Sequence, residues 1–480
     1  MTAAVTARGA ISLAPPRKTW LPWQPFLPLA ALPLLGPDAE NVQRVIVAME
    51  LIFLVMAIRQ PLWVLGALML SELTIRNYFL AFGGFEVTAR LFITLASLLI
   101  LVPHVAGGLK LGPRAKGLGL AALAFVALTT LSNGLNTDMG TMFTFLRYIA
   151  TGLAAMVIVP QVITERSDVL KVCTIGLGVM TASTLVALMQ HYEFQAVPII
   201  EVRAGVVERW LGRPVGLSEN PIYLSNDIML FLFPLLALVL TRAVSSKTAQ
   251  GLAVLMLMMV AALWFSETRS WVPSAAMALA AMALILPWRI QRDVVILMLV
   301  AVSVFLAIFM YSGSRYSNSF GDDDSAAARP VLWTAATKIA MDYPVLGIGH
   351  NRFTEVSPQY LRSIDPHLLA NREAFEVIGK YEPHNDLLNV WSSFGTGALI
   401  AFVLVIWFSA RNFMSAAREF LDPTLRAISL GCLGALVAVM VNSMFHNFYD
   451  STLTLWILAG MSLAMTKLAS AEAPLKKPMP

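Results

Sequence analysis

The sequence predicts an all-α, polytopic transmembrane helix bundle of about 12 to 14 spans, with one large, partly helical loop outside the membrane. Three observations predict it. Hydrophobic residues make up 58% of the 480 and charged residues only 13%, with a mean hydropathy of +0.71; a soluble chain is nearer half apolar and a quarter charged. Apolar runs of helix-spanning length recur along the chain. The charges fall in the gaps between these runs and are sorted by side.

Residues 1–20 carry Arg8, Arg17 and Lys18 and lack a small-residue cleavage site after the first apolar run. They read as a retained cytoplasmic tail and not as a cleaved signal. An N-terminal block, 21–190, holds the runs 21–35, 43–58, 61–75, 91–106, 117–132, 144–160 and 170–190. The first three are short and punctuated by proline, which suits tilted or re-entrant segments. A central block, 191–311, opens with a long polar loop to Pro221 and continues with runs at 222–241, 251–266, 271–288 and 293–311.

Residues 312–387 form the large loop. Within it Val331, Leu332, Ala335, Ile339 and Ala340 recur at helical spacing, so a helix is expected over 326–341. The final spans are 388–410, 426–445 and 451–467, inside a block 388–467 that a cytoplasmic tail, 468–480, follows. With the N-terminus inside, the cytoplasmic side receives 19 of the 34 Lys and Arg but only 6 of the 29 Asp and Glu. That asymmetry favours an even number of spans with both ends in the cytoplasm.

Several function classes are excluded. The basic residues form no cluster, so nucleic acid is not a partner. Cys173 and Cys432 lie within apolar runs and read as small buried hydrophobes. No histidine pair has metal-ligand spacing, and Asp322, Asp323 and Asp324 read as a solvated turn before a helix. There is no Ser-His-Asp order, no phosphate-cradling glycine loop and no ATPase signature, so neither a metal nor a cofactor is expected.

The residues able to do chemistry converge on the outer side. Arg213 stands just before the 222–241 run, Arg269 in a tight turn between two spans, and Arg329 at the start of the loop helix. His384 closes the large loop at the mouth of a span, with Asn385 beside it. His446-Asn447-Phe448-Tyr449-Asp450 fills the last outer turn. Guanidiniums meeting at one membrane face suit a diphosphate, because the planar fork matches phosphate oxygens. An imidazole with an ordinary pKa near ~6.5 can take a proton from a sugar hydroxyl.

His350, after the turn Pro344-Val345-Leu346-Gly347-Ile348-Gly349, is the one serious rival to His384. His104 falls on the cytoplasmic side, His191 borders a loop and His367 lies in a polar run. Glu72, Arg76, Arg147 and Asp227 are assigned to the interface by default; Glu50 is expected to pair with Arg44 or to face the bundle interior.

These motifs resemble the O-antigen ligase and O-antigen polymerase superfamily of bacterial envelope proteins. The resemblance covers mainly 205–460. It rests on Arg213-Pro214-x-Gly216 with Asn220-Pro221 before a span, on Thr268-Arg269-Ser270, and on Arg329 to Trp333. It continues with Pro344-x-x-Gly347-x-Gly349-x-x-x-Phe353, His384-Asn385 and Phe394-Gly395-x-Gly397. His350 departs from the pattern, where a small residue is usual.

The resemblance implies a metal-independent, inverting glycosyltransferase of the inner membrane. Its donor would be an undecaprenyl diphosphate-linked glycan at the periplasmic face. The acceptor would be lipid A–core for a ligase, a second lipid-linked glycan for a polymerase, or a protein side chain. His384 would be the base or acceptor-orienting residue, and Arg213, Arg269 and Arg329 would hold the leaving diphosphate. His350, Asn385, His446 and Asp450 would support them. The competing class is a flippase for lipid-linked sugar, which calls for charges near the bilayer midplane and inverted repeats with broken helices; the third is a purely structural subunit.

Overall fold

The computed structural model describes residues 39–74, 79–82, 85–106, 108–192, 213–218, 220–287, 291–292, 296, 324–361 and 382–472. The chain opens with α1 (Ala39–Arg59) and α2 (Trp63–Leu73), followed by a hairpin of β1 (Phe79–Phe82) and β2 (Phe85–Thr88). Then come α3 (Ala89–Val105), α4 (Ala115–Asn136), α5 (Met139–Val162), α6 (Arg166–His191), α7 (Pro221–Leu240), α8 (Ser246–Phe265) and α9 (Trp271–Ala283). The large loop contributes α10 (Asp324–Asp342) and α11 (Phe353–Leu361). Three helices finish the chain: α12 (Asp386–Glu419), α13 (Pro423–Asn442) and α14 (Thr454–Glu472).

Helix starts are written in short polar residues. Asp138, Asn220, Ser245, Asn385 and Asp422 each accept a first-turn amide, at α5, α7, α8, α12 and α13 respectively. Pro221 and Pro423 follow two of these caps in the first turn, where proline has no amide to waste. Among the described residues eight helices are long and apolar enough to cross a membrane: α4 to α8 and α12 to α14. The apolar helices α2, α3 and α9 are shorter. The protein is a multi-pass helical membrane bundle. The run 21–35 and nearly all of 293–311 lie outside the described residues.

Burial orders the bundle. The apolar window of α14 is 78% buried and that of α13 is 72%, against 17% for α8. The two C-terminal helices are therefore central, and α8 turns most of its surface to lipid. α13 packs on α7, α9 and α12, while α12 also packs on α4 and α14. At Gly431 a side chain would run into the backbone of Pro234, so glycine lets α13 and α7 touch backbone to backbone.

The loop helix forms as the periodicity predicts. Val331, Leu332, Ala335, Ala336 and Ile339 pack with Ile348, Phe353 and Leu361 into a small core separate from the main one. The hairpin and α11 have no counterpart in the apolar pattern.

Two interfacial assignments are corrected. Glu72 is fully buried and pairs with Arg90 at 3.3 Å, and its other oxygen accepts from Thr454 Oγ1 at 2.9 Å. Asp227 is also fully buried and accepts from Ser218 Oγ at 3.3 Å. Glu50 faces the interior, within range of the Arg90 charge. A charge in an apolar bundle persists where a partner meets it.

One break positions the site. α12 runs 34 residues, but Gly395 takes φ 83 and ψ 176 and interrupts it. The Gly-rich turn after α10 fills the gap: Ile348 N donates to Ser392 O (3.0 Å), Gly349 N to Ser393 O (2.8 Å) and Thr396 N to Pro344 O (2.8 Å). The carbonyls and amide freed by the break are thus paired again, as they must be in a dry setting. A side chain at Gly347 would overlap the backbone of Ser393, and one at Gly395 the backbone of Val345. The large loop is thereby latched to the helix that His384 leads into.

Candidate active site

One end of the bundle gathers the start of α7, the α8–α9 turn, the start of α12 and the α13–α14 turn. His384 sits in the bend just ahead of α12, half-buried, with φ +50. A left-handed backbone on a residue other than glycine costs on the order of 1 kcal/mol and is held by its surroundings. Those surroundings are visible on both sides. Before it, the Trp333 indole donates to Pro383 O at 2.9 Å. After it, Asn385 Oδ1 accepts from Leu388 N at 3.1 Å, Asp386 N donates to Ser443 O at 2.9 Å, and Phe448 N donates to Asp386 Oδ1 at 2.7 Å. Asn385 is therefore the cap of α12, a structural task.

Arg213 is buried, with 9% of its surface exposed. Its Nε donates to Ser266 O at 2.8 Å and its Nη2 to Thr268 Oγ1 at 3.3 Å. Thr268 Oγ1 lies 3.2 Å from Pro221 O, so Arg213 ties the approach to α7 into the α8–α9 turn. Arg269 occupies that turn, half-buried. Ser270, next to it, donates to Asn442 Oδ1 at 2.6 Å and contacts His446 Nε2 at 2.9 Å. Because the serine proton goes to Asn442, its oxygen accepts from His446, whose Nε2 carries the hydrogen.

His446 is buried, and burial pushes its imidazole well below the usual range. The positive charges of Arg329, His384 and Arg213 push the same way. Three of the residues singled out in sequence thus act together on a fourth. Arg329 lies with its guanidinium 5.9 Å over the Phe445 ring, one residue from His446. A neutral imidazole within range of the permanent charges of two arginines is a site that favours an anion.

A second, acidic group backs this cationic one. Glu382 accepts from Asn389 Nδ2 at 3.2 Å and from Asn447 Nδ2. Burial, then the Asp450 charge, hold its carboxyl above the usual range; burial raises Asp450 as well. His350 is walled in by Phe145 (ring centroids 4.9 Å apart), and its Nδ1 is 3.2 Å from Tyr449 OH. Its backbone amide donates to Asn133 Oδ1 at 2.7 Å. Burial lowers its pKa to about 4 despite the nearby Glu382 charge. The ring is neutral at pH 7, and its 3.8 Å approach to Asp450 Oδ2 is not an ion pair. His350 is part of the wall, and His384 is the more accessible of the two.

Arg213, Arg329 and His384 therefore lie within electrostatic range of His446, Arg269 occupies the turn that Arg213 and His446 both contact, and His350 and Asp450 fall in the acidic group. His367 and residues 193–212 lie outside the described residues. Sequence reasoning did not single out Trp333, Glu382, Asp386, Ser270, Asn442 or Tyr449. A signal existed for two of them: Glu382 and Asp386 flank His384 symmetrically in Glu382-Pro383-His384-Asn385-Asp386. Among the described residues no group of three or more His, Cys, Asp or Glu is arranged to hold a metal ion.

The fold is a helical membrane bundle, with Arg213, Arg269, Arg329 and His384 at one end of it. Residues 252–403, about a third of the chain, match the family model described as O-antigen ligase. That stretch includes Arg269, Arg329, His350, His384 and Asn385; Arg213, His446 and Asp450 lie outside it and join the site through the contacts above. No curated protein matches the chain.

Proposed function

We propose that the protein is an inner-membrane glycosyltransferase. It moves a glycan from an undecaprenyl diphosphate carrier to an acceptor hydroxyl at the periplasmic face, in the manner of an O-antigen ligase. The observation that carries this reading is the convergence of Arg213, Arg329 and His384 on His446, with Arg269 in the adjoining turn. The opposite end of the bundle supports the orientation. Arg114 and Arg166 pair there with Glu419 and Asp422, each at 2.6 Å, and Lys467 joins the Pro160 carbonyl. A basic end of this kind is the one that stays in the cytoplasm.

The chemistry is a single displacement. The acceptor oxygen attacks the anomeric carbon while its proton passes to His384. The bond from that carbon to the diphosphate oxygen breaks from the opposite face, so configuration inverts. The electron pair stays on the diphosphate, whose growing charge is met by Arg213, Arg269 and Arg329, donors fixed before the reaction begins. Arginine suits this role because its charge does not titrate and its fork binds two oxygens. The chain's own side chains supply the base and the cations, so the mechanism calls for no cofactor.

A repeat-unit polymerase would use the same site with a second lipid-linked glycan as acceptor. The two are separated by transfer in proteoliposomes, offering an undecaprenyl diphosphate-linked glycan with either lipid A–core or a second lipid-linked repeat. Product on lipid A–core supports the ligase reading, and a ladder of longer lipid-linked chains the polymerase. Movement of intact donor between leaflets with no new glycosidic bond would establish the flippase and overturn the enzyme.

A further inference from the structure

We propose that Glu382 is a positioning residue for the transfer, fixing the backbone that presents His384 by tying it to α12 and to the α13–α14 turn. The proposal rests on the reading of His384 as the base.

Glu382 stands two residues ahead of His384, and its side chain grips two elements at once. Its Oε2 accepts from Asn389, one turn inside α12, at 3.2 Å, and from Asn447, in the α13–α14 turn. Asn389 is itself held, because its Oδ1 accepts from Ser393 Oγ at 3.1 Å. The Ser393 carbonyl in turn receives Gly349 of the Gly-rich turn. A continuous line of hydrogen bonds therefore runs from the latch at the α12 break, through Ser393 and Asn389, to the carboxylate before His384.

The need for such a grip follows from the backbone. His384 is left-handed at φ +50, a state the chain leaves unless both flanks are pinned. The following flank is pinned by the Asn385 cap and by Asp386, which bonds to Ser443 and Phe448. On the preceding flank the described bonds are the Trp333 bond to the Pro383 carbonyl and the two amides on Glu382. A glutamate there is otherwise costly. Asp450 and His350 face it from the α13–α14 turn and the Gly-rich turn, and Asp386 faces Asp450 from α12. A carboxylate kept so close to another acid is kept for its Oε2, which receives both amides.

The test uses purified full-length protein in proteoliposomes with the lipid-linked donor and whichever acceptor the wild type uses. Glu382→Ala is expected to lower kcat at least tenfold with donor KM within twofold of wild type. Glu382→Gln is expected to recover most of that loss, because an amide oxygen accepts the same two bonds. Should Glu382→Ala fail to accumulate, Asn447→Ala removes one of the two amides and is expected to lower kcat severalfold at unchanged donor KM. Wild-type kcat in Glu382→Ala or Asn447→Ala, or a Gln variant no better than Ala, overturns the positioning role and leaves the transferase reading standing. Absence of transfer by the wild type itself overturns that reading, and the inference with it.

Discussion

The indole of Trp333 donates to the carbonyl of Pro383 at 2.9 Å, which bonds the large-loop helix to the residue beside His384. Arg329 lies one turn earlier on the same helix face, and both side chains reach Phe445, the arginine at 5.9 Å and the indole at 6.4 Å. The loop thus sets the histidine and one guanidinium as a unit. An open cleft of ≈ 490 Å³ lined by Pro330, Trp333, Thr337 and Leu388 adjoins them.

Trp333→Phe keeps the ring and removes the donor. A hydrogen bond of this kind is worth about 1 kcal/mol net, so transfer should fall on the order of fivefold with membrane abundance unchanged. Turnover equal to wild type in the phenylalanine variant would show that the bond does not set the histidine.

Arg213→Lys retains the charge but not the fork that reaches Ser266 and Thr268 together. Loss of transfer by roughly tenfold or more is expected, since a point charge cannot make both bonds. Recovery of full activity by lysine would reduce Arg213 to a source of positive potential.

Glycine positions in α12 separate latch from filler. Gly395→Ala forces a side chain into the Val345 backbone at positive φ and should cost more than about 2 kcal/mol, visible as lost folded protein. Gly397→Ala meets only the flexible Leu128 side chain, at 3.3 Å, and should be within about 1 kcal/mol of neutral. Equal behaviour of the two in thermal unfolding would remove the latch from the account.

His350 gives a pH signature. Its folded pKa of about 4 lies below the value near ~6.5 of an unfolded chain. The stability it contributes is present above about pH 6.5 and is lost as pH falls toward about 4, up to about 3 kcal/mol in all. Glu382 and Asp450, raised by burial, act in the opposite sense over acidic pH. The measurement is therefore a difference: between pH 7.5 and 5 the unfolding midpoint should drop further in wild type than in His350→Gln. Parallel curves would mean the imidazole already carries its proton in the folded state.

The bundle was legible because a membrane span has to be apolar over its whole length, and twelve of the fourteen expected runs coincide with described helices or parts of them. The loop helix was legible from Val331 to Ile339, where apolar residues mark one face. The arginines and His384 stood out as charges with nowhere to hide at span boundaries. What periodicity does not contain is which boundary touches which. Glu72 looks interfacial in sequence because it ends an apolar run; only packing puts it opposite Arg90 and beside Thr454. Glu382 and Trp333 were passed over for a similar reason: their partners, Asn447 and Pro383, lie 65 and 50 residues away.

The most direct test of the account compares glycan transfer by wild type and by His384→Ala in proteoliposomes, at equal amounts of inserted protein. Removal of a general base predicts a fall of about 10²–10⁴-fold in kcat with the donor still bound. A His384→Ala protein that transfers glycan within a few-fold of wild type would contradict it, and would move the chemistry away from this histidine.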